Sequence, residues 1–135
     1  MTLALAGTLR SDRADRITNY IDAAGAGAEL TIYSGVRPGT GAPPAGAALV
    51  TFALPFPVAP AAVSGVLTFD SIPPENIAVS GGATWFRIID NSMSQAIDGD
   101  VGLTGSGADL ELDSTTFVSG RLISIDSFVL TEGNP

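Results

Sequence analysis

Apolar and polar positions alternate along most of this chain, in short pieces separated by turn residues. Glu29-Leu30-Thr31-Ile32-Tyr33-Ser34 puts Leu30 and Ile32 on one face and Thr31 and Tyr33 on the other, the period of a strand. Ala48 to Pro57 resumes the pattern, and Pro55 and Pro57 confine its far end to a sheet edge. Val63 to Phe69 is a further short strand, and Ser71 to Asn76 a turn. In Ala83-Thr84-Trp85-Phe86-Arg87-Ile88-Ile89-Asp90, Trp85 and Phe86 fall on opposite faces, as do Ile88 and Ile89. That predicts a central strand covered on both sides. Asn91-Ser92-Met93-Ser94 predicts a hairpin loop. Beyond it Ile97, Val101 and Leu103 oppose Ala96, Asp98 and Asp100, and Leu110 and Leu112 point inward while Asp109, Glu111 and Asp113 point out. A last strand runs Arg121 to Leu130, with Ile123, Ile125 and Val129 on its inner face and Phe128 and Leu130 on a partly exposed one.

One stretch has the other period. Ala14, Ile17, Ile21 and Ala24 recur three or four apart, which predicts a helix over 11–24. Ser11 is placed to cap it, Asp12 to sit in its first turn and pair with Arg16, and Gly25 to stop it. Its apolar stripe is narrow, so the helix needs a sheet or a neighbouring subunit to pack on. Ahead of it, residues 1–10 form an arm in which Leu3, Leu5 and Leu9 alternate with small residues. An arm of this kind either adds to a sheet edge, in its own chain or a neighbour's, or stays frayed. Residues 37–46 hold three prolines and three glycines and make a long surface loop. The whole predicts a mainly β fold: an antiparallel β-sandwich or jelly-roll-like barrel of about eight strands with one N-terminal α-helix. The arm (1–10) leads into a single domain over 11–135.

Composition narrows the chemistry. The 135 residues include no cysteine, histidine or lysine; the six basic residues are Arg10, Arg13, Arg16, Arg37, Arg87 and Arg121. Thiolate metal sites and the Ser-His and Cys-His nucleophile pairs are therefore excluded within the chain, and an enzyme is not expected. Residues 1–37 carry four arginines against four acids; residues 38–135 carry two against ten and hold the entire net charge of −8. Such a surface repels phosphate backbones, so no nucleic-acid partner is expected. No apolar run reaches the ~18 residues of a membrane span, and the first residues lack the basic start of a secretory signal, so neither a membrane nor secretion is expected.

Asp98, Asp100, Asp109, Glu111 and Asp113 are the one candidate ligand cluster, and oxygen ligands suit calcium. Asp98-Gly99-Asp100 lacks the calcium-loop framework, however, and acids two apart are what a solvated strand face produces. Trp85 suits either a sugar-stacking platform or the core, and its apolar neighbours favour the core. A glycosidase carboxylate pair has no specific signature among fourteen acids. Arg87 has three open roles: snorkelling, pairing with Asp98 or Asp100, or reaching a neighbouring subunit. No cofactor is called for.

Several stretches together resemble a family. Ala83 to Asp90, Asp98-Gly99-Asp100-Val101-Gly102, Gly107-Ala108-Asp109-Leu110-Glu111-Leu112 and Ser119-Gly120 before Ile123 to Asn134 resemble small structural proteins of tailed bacteriophages and prophages. Ile17 to Ala23, followed by Leu30 to Pro38, is similar to the same group. The resemblance covers most of the chain, least distinctively the Pro/Gly loop and residues 48–80, and it supplies no active-site residues. It implies a virion component: a head decoration (cement) protein on the capsid exterior, bound to the major capsid protein and self-associated as a homotrimer. A tail-associated role is the closest rival, and a carbohydrate- or calcium-binding adhesion module the rival from another class. The contacts are expected in the arm, the helix and the loop at 36–47, with Leu3, Leu5, Arg10, Arg13, Arg16, Arg37 and Phe128 as interface residues.

Overall fold

The structure, a computed structural model, describes residues 3–133. Among them one helix, α1 (Gly7–Asp22), precedes eleven strands: β1 (Glu29–Tyr33), β2 (Ala48–Ala53), β3 (Val66–Thr68), β4 (Glu75–Asn76), β5 (Gly81–Gly82), β6 (Trp85–Ile89), β7 (Gln95–Leu103), β8 (Leu110–Leu112), β9 (Thr116–Phe117), β10 (Leu122–Ile123) and β11 (Val129–Thr131). Five strands form one sheet in the order β2-β1-β6-β7-β8; the rest form the two-stranded ribbons β10-β4, β11-β3 and β5-β9. The chain is thus mainly β with one N-terminal helix, as the periodicities predict.

Strand β6 sits at the centre of the large sheet, where its two-sided apolar pattern puts it. On one face Phe86 and Ile88 stand beside Ile32 and Leu30 of β1, which in turn face Val50 and Phe52 of β2. All six are buried, and Ala14 and Ile21 of the helix join the same core. Each such side chain contributes on the order of 1.5–3 kcal/mol by leaving water. Gly99 of β7 stands directly opposite Phe86. A β-carbon there would fall 2.5 Å from the edge of the Phe86 ring. Gly99→Ala is therefore expected to cost about 1–3 kcal/mol by overpacking, read as a lower denaturation midpoint. Combined with Phe86→Leu it should cost less than the two changes added, because the ring it strikes has been trimmed.

The helix begins four residues earlier than predicted and ends at Asp22. Residues 7–10 of the expected arm are helical, and no side chain caps the N-terminus, where Ala6 takes the capping position. Ser11 lies inside the helix: its hydroxyl donates to the Gly7 carbonyl (3.1 Å) and accepts from the Gly65 amide (3.0 Å). The extra turn is held by tertiary contact, since the Arg10 Nε donates to the Glu132 carbonyl at 2.7 Å. Asp12 and Arg16 make no ion pair among the described residues. Two other helix acids face inward to a neighbouring loop. Asp15 accepts from the Ala62 amide at 2.7 Å, and Asp22 from the Val58 amide at 3.2 and 3.3 Å. Gly25 follows the stop as expected, at φ 85° with its amide on the Asp22 carbonyl. Leu3 to Ala6 run outside any strand, and residues 1 and 2 of the expected arm lie outside the described residues.

Two strand expectations also change. The β7-β8 ladder is parallel, not antiparallel. Parallel neighbours ordinarily need a long crossover. Here the ladder spans three residues, and the return loop folds tightly round the Glu111 carboxylate, which accepts from Gly105 (3.0 Å) and Gly107 (2.8 Å). The predicted strand from Arg121 to Leu130 is broken into β10 and β11, with irregular backbone between. The break shifts the phase. Ile125 and Phe128 are both buried, while Val129, expected inside, is exposed. Phe128 is therefore not a surface contact: it is 2% exposed, with its ring 4.7 Å from Phe69 and edge-on to Phe86 at 5.4 Å.

Candidate docking surface

The outer face of the large sheet carries Thr31, Tyr33, Trp85, Arg87, Asp98 and Asp100, and the Pro/Gly loop folds across it. Cross-strand pairing puts Tyr33 beside Trp85, and their rings stack at 4.4 Å and 14°. Arg87 lies next along β6, opposite Asp98 of β7. Its guanidinium makes a two-pronged bond to the Asp98 carboxylate, 2.7 Å from Nε and 2.8 Å from Nη2. The remaining Nη1 donates to the Ala42 carbonyl at 2.9 Å and ties down the loop. The same guanidinium stands 5.5 Å from the centre of the Trp85 ring.

Of the three roles open to Arg87, pairing with Asp98 is the one realised. Asp98 is thus not part of a solvated acid face, for its side chain is 6% exposed and that of Arg87 9%. The Asp98 hydrogen bonds hold the Arg87 pKa above its ordinary value. Trp85 is fully buried, stacked on Tyr33 and beside Arg87, so its ring offers no open stacking platform, and its Nε1 has no hydrogen-bond partner among the described residues.

The loop's ends are fixed by its own backbone. Ser34 donates its amide to the Ala47 carbonyl (3.0 Å), and Thr84 donates its hydroxyl to the Gly35 carbonyl (2.6 Å). Gly46 passes so close to the Ser34 carbonyl that a β-carbon would collide with it. Along the loop's rim Arg37 meets Asp100 at 3.4 Å, an exposed pair contributing ~0–1 kcal/mol at most.

The remaining predicted contact residues divide. Arg10 is spent internally on the Glu132 carbonyl. Arg13 reaches the Glu132 carboxylate at 3.3 Å but stays half exposed, and Arg16 is exposed beside Tyr20. Leu3 is 62% exposed and Leu5 half-buried. The helix and the loop thus present the arginines on separate parts of the surface: Arg13 by the β11 end, Arg37 over the outer face of the sheet. The sequence reading missed Val36, Phe56, Val63, Met93 and Leu122, large apolar side chains left in water. Phe56 read as a strand residue, and only its neighbouring prolines hinted at irregular backbone; Leu122 does lie in a strand, β10, but with its side chain exposed.

The acids serve the local backbone. Asp109 accepts from the Asp100 amide at 2.9 Å. Asp90 accepts from the hydroxyl and amide of Ser92 and the amide of Ser94, closing the predicted hairpin loop. Among the described residues no three metal-ligating side chains gather closely enough to hold an ion, and no helix is long and apolar enough to cross a membrane. The Gly105 amide, and then that of Gly107, hold the Glu111 carboxyl below the usual carboxylate range. A lowered folded-state pKa stabilises above the unfolded value and is lost as pH falls through the folded one. The turn at 104–108 is accordingly expected to hold as pH falls past the ordinary glutamate value and to loosen only below it. The amide proton shifts of Gly105 and Gly107, followed by NMR, should inflect there, and in Glu111→Gln they should not.

No protein-family model matches this chain, and no curated protein or solved structure matches it.

Proposed function

We propose that the chain is a non-enzymatic structural protein of a tailed-phage virion: a head decoration protein with a sandwich-like β fold, bound to the major capsid protein on the head exterior. The family resemblance of its strands motivates the reading. The observation that carries it is the distribution of exposed apolar groups. Leu3, Val36, Phe56, Val63, Met93 and Leu122 stand in water on loops and a short strand spread along the length of the chain. Side chains spread in this way suit a subunit that touches several neighbours weakly instead of one partner through one patch. On a lattice such contacts add through effective concentration once the first is made, and a cyclic homotrimer multiplies them again.

The charged groups take the supporting part. Arg37 and Arg13 sit in exposed pairs that exchange partners at little cost, while the acids of residues 98–113 lie towards solvent or a basic capsid surface, Asp98 excepted. Purified protein mixed with heads lacking it, followed by reconstruction of the particles, tests the reading. Density at regular positions on the head exterior is the expected result. Density confined to tails would move the assignment to a tail component, and calorimetric binding of calcium or a glycan at micromolar affinity would replace it with an adhesion module.

A further inference from the structure

Three adjoining hollows form one trough between α1, the strands β7 and β8, and the edge of β11. Their volumes are about 180, 460 and 340 Å³. Ile17 and Ile97 are shared by the first two, and Ala108, Asp109 and Val129 by the second and third. Ala14, Ile17 and Ile97 make the middle apolar. Asp109 and Glu132 edge it, and Arg13 reaches Glu132 at 3.3 Å. Arg16 lines the first hollow, whereas the third is lined by Asp109 and Glu111 and by no arginine. The trough therefore runs from an apolar end flanked by arginine to an acidic end without one.

Two unpaired strand edges meet at the acidic end. Strand β8 is the last in the order of the large sheet. The Thr104 amide donates to the Leu112 carbonyl, so Leu112 and Leu110 aim their backbone groups at β7 and Glu111 aims its own away. In the β11-β3 ribbon Phe69 donates to the Phe128 carbonyl and Glu132 to the Gly65 carbonyl, with Leu130 opposite Leu67 between them. Residues 128, 130 and 132 thus point at β3, and Val129 and Thr131 point the other way. The backbone groups of Glu111, Val129 and Thr131 have no partner among the described residues. Glu111 and Val129 line the same hollow. A gap between two open edges that runs on to an apolar floor is the form of site that accepts one more strand.

We infer that the trough takes an extended segment of a partner protein in which apolar residues alternate with arginine or lysine, added between β8 and β11. Alternation sends one set of its side chains to Ile17 and Ile97 and the other set out past the carboxylates of Asp109, Glu111 and Glu132. Cations there meet charges that no arginine of the third hollow answers. Asp109 already accepts the Asp100 amide at 2.9 Å, and Glu111 those of Gly105 and Gly107, which fixes both carboxylates in place and leaves their charge. A second copy of this chain fits less well, because none of its six arginines lies on a free strand. Arg10, Arg13 and Arg16 are in α1, and Arg87 is in the central strand of the large sheet. Arg121 is bonded through its backbone to Ile77 and Val118, and Arg37 precedes Pro38, which has no amide for a ladder. The inference rests on the docking role in the proposed function and names the kind of segment the partner offers.

Titration of the full chain with a capped peptide of about eight alternating valines and arginines, followed by the protein's amide resonances, tests it. The amides of Glu111, Val129 and Thr131 should shift together and saturate. A valine–glutamate peptide should bind at least about tenfold more weakly for want of opposite charge, and a valine–arginine peptide N-methylated at every second residue as weakly for want of ladder bonds. Glu132→Gln should weaken binding about threefold; its side chain is partly exposed, so the fold should survive, with circular dichroism as the check. No shift with millimolar peptide, shifts that miss β8 and β11, or binding unchanged by N-methylation overturns the inference. Equal binding of a serine–arginine peptide overturns it too, by reducing the contact to charge alone. Shifts of the same amides on concentrating the chain by itself would give the trough to a second copy and overturn the foreign partner. Heads that take up the protein when the peptide fails keep the decoration reading without this contact. Peptide binding beside heads that refuse the protein keeps the contact and removes the head.

Discussion

Asp98→Ala is expected to destabilise the protein by about 3 kcal/mol, and Arg87→Ala by a similar amount. The pair is enclosed, with side chains 6% and 9% exposed, and its two-pronged geometry satisfies both partners. Removing either leaves the other charge under the Pro/Gly loop with nothing to replace water. The cover is one layer of loop, which puts the cost at the lower end of the usual 3–5 kcal/mol. The two variants should then part company in the loop itself. Arg87→Ala also deletes the bond to the Ala42 carbonyl, so Trp85 should become accessible and its fluorescence shift to the red; Asp98→Ala leaves that bond in place. Replacing both partners by apolar groups, as in Arg87→Met with Asp98→Leu, should recover much of the loss. Arg37→Ala is the control: its exposed pair with Asp100 should cost under ~0.5 kcal/mol. Chemical denaturation measures all four, and an Arg87→Ala cost no greater than that of Arg37→Ala would show that the pair is solvated and the loop open.

The legibility of this fold in its sequence follows how regular each segment is. Strand β6 was plain, because a pattern apolar on both faces has few explanations other than a central strand. So were β1 and the Asn91–Ser94 loop. The helix start was misplaced because Ser11 has the chemistry of a cap, while the turn before it is held by a bond from Arg10 to Glu132, 122 residues away. No local signal encodes such a bond. Phe128 was assigned to the wrong face because alternation was carried through residues 124–127, where the backbone is irregular and parity has no meaning. The parallel β7-β8 ladder was hidden for a related reason. A return of six residues normally signals a hairpin, and only the reach of Glu111 to two glycine amides makes the other course possible. At the surface, the loop at 36–47 was legible as a loop. That it binds Arg87 was not, because the contact depends on where a segment rich in glycine and proline comes to rest.

Phe128→Ala decides between two uses of the same side chain. As a docking residue on an exposed strand face, it would leave stability within ~0.5 kcal/mol and weaken only binding. As a core residue, it should cost about 3–5 kcal/mol, with the fold's melting temperature lowered by roughly 10 °C or more. The geometry requires the second. The ring fills the space between Phe69 on one side and Phe86 on the other, so its removal opens a cavity bounded by two rigid aromatics that collapse poorly into it. Phe128→Leu should cost distinctly less, because most of the volume returns and only the aromatic contacts go. The loss should also be local in a recognisable way. Phe128 is the residue from which β11 departs, and its carbonyl holds the Phe69 amide at 2.9 Å. Amide exchange in β3 and β11 should therefore quicken more than in β1 or β6, which are held by the large sheet.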